Sequence, residues 1–227
     1  ARIEAAAARA GRDPGGITLV GVTKAKPAEM LLAAARAGVR VFGENYVQEA
    51  LPKLEQVRAA LEREGAPLPR FHFIGRLQRN KARQVVPVFD AVETLDRESL
   101  GDELQRRAEA AGRVLEVLLQ VNLSGEPQKG GAPPEAVPAL LEASRRWSAL
   151  GVTGLMTVPA AGATPETSRP AFAKLRELAA SLRSRPGGEG LHQLSMGMSG
   201  DFEVAVEEGA TLVRVGTALF GPRPARP

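Results

Sequence analysis

The sequence predicts an α/β fold of the (β/α)8 TIM-barrel type, formed by one domain over residues 1–227. Three features point there. Short apolar, β-branched runs alternate with Ala/Glu/Arg/Leu-rich stretches of near-3.6 spacing, an order that parallel strands with right-handed crossovers satisfy. The runs are apolar throughout rather than at every second residue, as expected of strands covered on both faces. Eight such runs occur, one weaker than the rest, which is the number that closes a barrel. A doubly wound open sheet is the rival. It would favour a glycine-rich first strand–helix turn, whereas residues 23–27 read TKAKP, with no GxGxxG.

In chain order, the first strand is expected at 17–22, then a helix over 27–37 with Pro27 in its first turn and Gly38 just past its end. A strand at 39–42 leads to a helix over 44–63, and a third strand lies at 71–74. The basic stretch 76–83 (RLQRNKAR) reads as a solvated helix face, with Asn80 a candidate N-cap. A strand at 89–92 and a helix over 97–111 follow, the latter ended by Gly112. The fifth strand, 114–121, runs into a loop at 124–134 and a helix over 134–146, ended by Gly151. The sixth, 152–155, precedes a loop at 159–165 and a helix over 169–182, with Ser168 as candidate N-cap. After the Pro/Gly cluster at 185–190 come the weaker strand 191–194, a helix over 202–208 ended by Gly209, and the last strand, 212–215.

Composition excludes several classes. Apolar residues at 44% and charged residues at 25% are globular rather than disordered values. With no cysteine there are no disulfides, thiolate nucleophiles or Cys-based metal sites, and two histidines, His72 and His192, argue against a His-rich one. No apolar run reaches the roughly 18–20 residues of a membrane span and no signal peptide is visible, so a cytoplasmic protein without a membrane partner is expected. The net charge of +4 is modest and aromatics are only 4%, which argues against a nucleic-acid partner.

In a barrel of this kind chemistry belongs at the strand C-terminal ends, with phosphate commonly bound after strands seven and eight. Lys24 ends the first strand. At the mouth, beside low-dielectric walls, its ammonium is disfavoured and its amine becomes usable for imine formation. The same spacing also fits a lysine that snorkels to the rim. After strand seven, residues 195–201 (SMGMSGD) offer glycines and hydroxyls at a helix start, and residues 214–218 (RVGTA) do so after strand eight. Two such turns side by side would form a phosphate cup. Arg214 alternates with Val213 and Val215 and so faces away from them, either as a structural ion pair or as a donor to a ligand. Asn45, in GENY (43–46), is either a helix cap or a site residue, and His72 either a hydrogen-bonded core residue or a functional one. No GxSxG, HExxH or Walker sequence occurs, so the cup is not that of a P-loop NTPase.

Taken together, VTKAKP (22–27), FGENYVQE (42–49), FHFIGRLQRNK (71–81), LQVNLSGEPQKGG (119–131), GLMTVP (154–159) and LSMGMSGDFEVAVEEGATLVRVGTALFG (194–221) resemble the pyridoxal phosphate homeostasis protein family. The resemblance runs in order from about residue 2 to residue 224. It implies a barrel similar to the N-terminal domain of alanine racemase. It implies pyridoxal 5′-phosphate (PLP) as cofactor, held by Lys24 as a Schiff base, with the SMGMS turn, Gly216 and Thr217 on the phosphate. Ser199 is preferred to Ser195 as the phosphate serine, since it lies fifteen positions before Arg214, a sequence spacing similar to that in alanine racemase. Arg214 would face the pyridine nitrogen, and Asn45 would lie near the ring. The family often has histidine in place of Arg76 and KSG in place of residues 129–131, and the chain is expected to open inside the family's first helix.

A protonated ring nitrogen is the usual electron sink of PLP enzymes, and an arginine beside it disfavours that proton. A second domain that could supply an opposite-face base is not expected. The expected role is therefore a carrier or regulator of PLP and amino-acid pools without catalytic activity, and PLP-dependent apoenzymes are expected recipients. A monomer is expected. A racemase-like PLP enzyme and a PLP-independent Schiff-base aldolase are the alternatives.

Overall fold

The computed structural model describes residues 1–126, 129–160 and 162–222. Residues 127–128 and 161, in two of the predicted loops, and the terminal residues 223–227 lie outside the described residues. The strands are β1 (Thr18–Val22), β2 (Val41–Glu44), β3 (Arg70–Phe73), β4 (Ala91–Leu95), β5 (Leu115–Val121), β6 (Leu150–Thr157), β7 (Gln193–Ser195) and β8 (Leu212–Val215). They pair in parallel in chain order, and β8 closes the barrel on β1 through registers such as Val20 with Arg214. Around them run α1 (Arg2–Arg9), α2 (Ala28–Arg36), α3 (Val47–Arg63), α4 (Ala82–Val85), α5 (Glu98–Ala110), α6 (Val137–Ser144), α7 (Pro165–Arg183), α8 (Phe202–Glu207) and α9 (Thr217–Phe220). Each predicted strand is present. Among the described residues no helix is long and apolar enough to cross a membrane.

Three strands start two residues later than predicted, each because a helix or turn consumes the first apolar residues. The Val39 N–H bonds to the Ala34 carbonyl at 3.0 Å and closes α2, so the chain joins the sheet only at Val41. Phe89 bonds back to Val85 in the same way before β4, and Leu191 bonds to Gly188 in a turn before β7. Gly38, Gly112 and Gly209 follow helices with positive φ as expected, but Gly151 lies inside β6. Pro27 stands at the N-cap of α2 rather than inside it. The stretch 76–83 is not one helix: Arg79–Lys81 form a single 3-10 turn capped by Gln78, so Asn80 is no cap. Ser168 is not a cap either. α7 starts earlier, at a capping box between Thr164 and Thr167, and Ser168 is buried and donates to Asp201 at 3.1 Å.

The outward faces of the strands make the main core. Phe42 and Phe71 stack at 6.3 Å, Phe73 meets Phe89 edge-on, and Leu31, Leu54, Leu104 and Phe172 join the same core from the helices. Each such fully buried side chain stabilises the fold by roughly 1.5–3 kcal/mol. The barrel interior is different. A small apolar cluster of Val20, Val41 and Leu212 accompanies polar residues. Near the strand starts, Glu116 accepts from Gln193 at 2.6 Å and from Thr153 at 3.0 Å, and pairs with Arg70. Nearer the C-terminal ends, Glu93 of β4 accepts from Ser195 of β7. Those strands are not neighbours, so this bond crosses the barrel interior. Such barrels usually fill this space with branched apolar side chains.

Candidate functional site

All six residues expected at the site, Lys24, Asn45, Ser199, Arg214, Gly216 and Thr217, line one cavity of about 320 Å³ at the C-terminal mouth of the barrel. Val22, Ile74 and Met156 give it apolar walls. Lys24 does not end β1. It sits two residues past Val22, in a turn that β1 leads into. Asn45 follows β2 directly, and the N-cap of α3 is Tyr46, so Asn45 is not the cap. Arg214 lies within β8, and Gly216 and Thr217 come immediately after it.

The turn that carries Lys24 is held from both sides. Ala25 adopts a φ of 58°, a left-handed conformation that alanine reaches only when its surroundings enforce it. The Ala25 N–H donates to Glu49 at 2.6 Å. Lys53, buried beneath the turn, donates to the Thr23 carbonyl at 2.8 Å and to the Lys26 carbonyl at 3.1 Å. Its ammonium also meets Glu44 at 2.7 Å and Glu49 at 2.8 Å. Burial pushes the Glu44 carboxyl up from its ordinary range, only partly offset by Lys53. Lys26 reaches the other way. Its ammonium donates to the carbonyls of Phe220, Gly221 and Pro222 at 2.8, 3.1 and 2.7 Å, and so ties the lysine turn to the end of α9.

The opposite wall is a set of donors. Ser199 Oγ accepts from the Gly216 and Ala218 N–H groups, both at 3.2 Å. One hydroxyl thus marks where two backbone donors converge, the arrangement that receives an anion oxygen. The turn before it is fixed by the Met198 N–H donating to Asp201 at 2.6 Å and by Gly197, whose φ is +91°. A Cβ at Gly197 would fall 2.5 Å from that of Ala205, so glycine is required there.

Ser195 has a separate role. It is fully buried, donates to Glu93 and accepts from Arg214 at 2.6 Å. Arg214, 4% exposed, also donates to the Thr157 carbonyl at 2.7 Å and makes no direct ion pair among the described residues. Its charge reaches Glu93 through Ser195. Burial lowers its pKa, opposed by Glu93 and Asp201. His72, 2% exposed, donates from Nδ1 to Glu93 at 2.7 Å, so it is a hydrogen-bonded core residue and does not line the cavity. Burial opposes ionisation of Glu93, but the hydrogen bond and charge of His72, with Arg214 and Ser195, outweigh it and hold the carboxyl below its ordinary range. Sequence reading missed Glu93, Glu44 and Lys53. The available signal was a glutamate in each of two mainly apolar strand segments, AVETL and VFGE.

Glu93 carries an acid limb of stability. Because its folded pKa is depressed, its contribution is complete above the unfolded glutamate range and is lost as pH falls through the folded value. Glu93→Gln is expected to lower stability at neutral pH by about 1–3 kcal/mol and to flatten the decline in acid. Urea midpoints followed from neutral pH downward check both; an unchanged acid limb would contradict the assignment.

The family model for the alanine racemase N-terminal domain matches residues 1–224. The pyridoxal phosphate homeostasis protein of Pseudomonas aeruginosa is 46% identical over 224 residues, 98% of this chain and 92% of that protein. That of Aquifex aeolicus is 45% identical, over 98% and 94%. Among solved structures, PipY from Synechococcus elongatus, with PLP bound, superposes with a TM-score of 0.83 at 37% identity, covering 97% of this chain and all of that one. With this barrel and this mouth, the chain belongs to the pyridoxal phosphate homeostasis protein family, built on the alanine racemase N-terminal-domain fold.

Proposed function

We propose that this protein binds PLP covalently through the Lys24 amine and acts as an intracellular carrier that takes up and releases it. The observation that carries the reading is that one cavity joins Lys24, Arg214 and the Ser199–Gly216–Thr217 cradle, in a chain similar to one solved with PLP bound. When bound, PLP supplies an aldehyde that captures amines, a pyridine ring that draws electrons, and a phosphate dianion. The residues present suit each part. Lys24 offers an amine at one end. At the other, Ser199 Oγ, the Thr217 hydroxyl and the Gly216 and Ala218 N–H groups suit the phosphate. Arg214, fixed by Ser195 and Thr157, presents a charge that disfavours a proton on the ring nitrogen.

The same cavity favours a carrier over a racemase. Among its described lining residues, Lys24 and Arg214 are the only titratable side chains. Tyr46, the chain's one tyrosine, lines a neighbouring cavity and is 49% exposed. With no carboxylate, histidine or tyrosine among the described residues that line this cavity, PLP-saturated protein is expected to leave L-alanine unracemised in a chiral assay. Robust interconversion that is lost in Lys24→Ala would overturn the carrier reading. PLP-dependent apoenzymes are the proposed recipients, and a cytoplasmic monomer is the proposed form.

The phosphate cradle makes a quantitative prediction. Pyridoxal offers the same aldehyde without the phosphate. Several charge-assisted hydrogen bonds, less the desolvation of a dianion, leave a preference of about 3 kcal/mol for PLP, roughly a hundredfold. Thr217→Val is expected to reduce that preference with little change for pyridoxal. Arg214→Gln is expected to shift the absorption spectrum and weaken both ligands. Spectral titration of each variant with PLP and pyridoxal checks this; equal wild-type affinity for the two would sink the cradle.

A further inference from the structure

A second cavity, about 470 Å³, opens beside the first, and Asn45 lines both. Its floor includes buried Leu77, its rim exposed Tyr46, and three cations border it: Arg76, Lys81 and Arg97. Arg97 is partly committed, to Asp96 and to the Leu77 carbonyl at 3.1 Å. Arg76 and Lys81 have no acidic partner among the described residues. Arg36, Arg106, Arg146 and Arg169 are in ion pairs, whereas Arg63, Arg79 and Arg83, like Arg76, have none among the described residues, so what distinguishes Arg76 and Lys81 is that they border one cavity together. The basic stretch 76–83 therefore borders a concave, cation-rich space rather than covering a helix face. Asn45, on the wall the two cavities share, carries a further unsatisfied group. Asn45 Oδ1 is shut off from solvent and has no hydrogen-bond partner. A buried acceptor without a donor is costly, and an N–H brought by a ligand would relieve that cost.

We infer that this cavity binds an amino acid bearing a side-chain carboxylate. The anionic group lies against Arg76 and Lys81, and the ammonium supplies the donor that Asn45 Oδ1 lacks. Arginine suits planar carboxylates, and Lys81 adds a point charge. Because Asn45 also borders the Lys24 cavity, occupancy here would place an amino acid next to the proposed PLP site. The inference does not depend on PLP being bound.

Isothermal titration of the protein, without and with PLP, compares L-glutamate with L-glutamine, which has nearly the same shape and no side-chain charge. Glutamate is expected to bind about fivefold more tightly, the scale of partly exposed ion pairs. Arg76→Gln combined with Lys81→Gln is expected to abolish that preference, while Arg83→Gln, outside the cavity, keeps it. PLP titration of the double variant, unchanged from wild type, shows that the barrel is intact. Binding of neither amino acid, equal binding of both, or a preference that survives the double substitution would overturn the inference. Failure of PLP to bind while the glutamate preference stands would overturn the carrier reading instead.

Discussion

Lys24→Ala is expected to abolish covalent capture of PLP while leaving weaker, reversible binding through the phosphate cradle. The neighbouring lysines explain why the effect should be complete. Lys26 is two residues away, but its ammonium is held by three carbonyls at the end of α9 and lies outside the cavity lining. Lys53 is 7% exposed and bound by Glu44, Glu49 and two carbonyls. To reach an aldehyde, either would have to abandon buried hydrogen bonds, each worth about 1.5–3 kcal/mol where one partner is charged. Lys24 lines the cavity directly. Borohydride reduction followed by peptide mass mapping should place the label on the peptide containing Lys24 in wild-type protein and nowhere in the variant. A label on Lys26, Lys81 or Lys129 would contradict the assignment.

Lys53→Met is expected to be among the most destabilising single changes in the molecule. Glu44 is fully buried, and the Lys53 ammonium at 2.7 Å is its charged partner. Removing one member of a buried pair typically costs about 3–5 kcal/mol, because the other charge is left uncompensated. Glu44 already has a raised pKa, chiefly from burial, and loss of the lysine raises it further. A group whose folded pKa is raised favours the folded state in acid and loses that stability as pH rises from the unfolded to the folded value. The deficit of Lys53→Met should therefore grow between acid and neutral pH. Glu44→Gln in the same background should remove that growth. Urea unfolding across the range checks both. A deficit independent of pH would show that the lost backbone bonds to Thr23 and Lys26, rather than the buried charge, dominate.

The barrel was legible in the sequence because parallel strands covered on both faces cannot hide their apolar runs. What was displaced was local. Val39, Phe89 and Leu191 read as strand because they are apolar, but each completes the turn before its strand. The placement of the candidate site residues at the mouth was legible for a related reason. Positions such as Lys24 and Gly216 fall where the strand rhythm breaks, so topology assigns them to the mouth. The supports behind them were not. Glu93 is joined to Ser195 by a bond that crosses the barrel between sequence positions 102 apart. Glu44 and Lys53 belong to different elements, β2 and α3, and only the fold brings their charges together. Periodicity reports which face a side chain occupies, not which partner it meets across an interior. For that reason Ser195 and Ser199, four positions apart, could be ranked only by resemblance. The structure separates them: Ser195 is buried on Glu93 and Arg214, whereas Ser199 holds the Gly216 and Ala218 N–H groups at the cavity wall.

The most direct test of PLP carriage at this mouth is a crystal structure of the protein crystallised with PLP. The expected result is continuous density from Lys24 Nζ into the cofactor, with phosphate oxygens within hydrogen-bonding distance of Ser199 Oγ and the Gly216 N–H, and Arg214 beside the ring nitrogen. PLP joined to another lysine, or seated with its phosphate away from Ser199 and Gly216, would contradict the account.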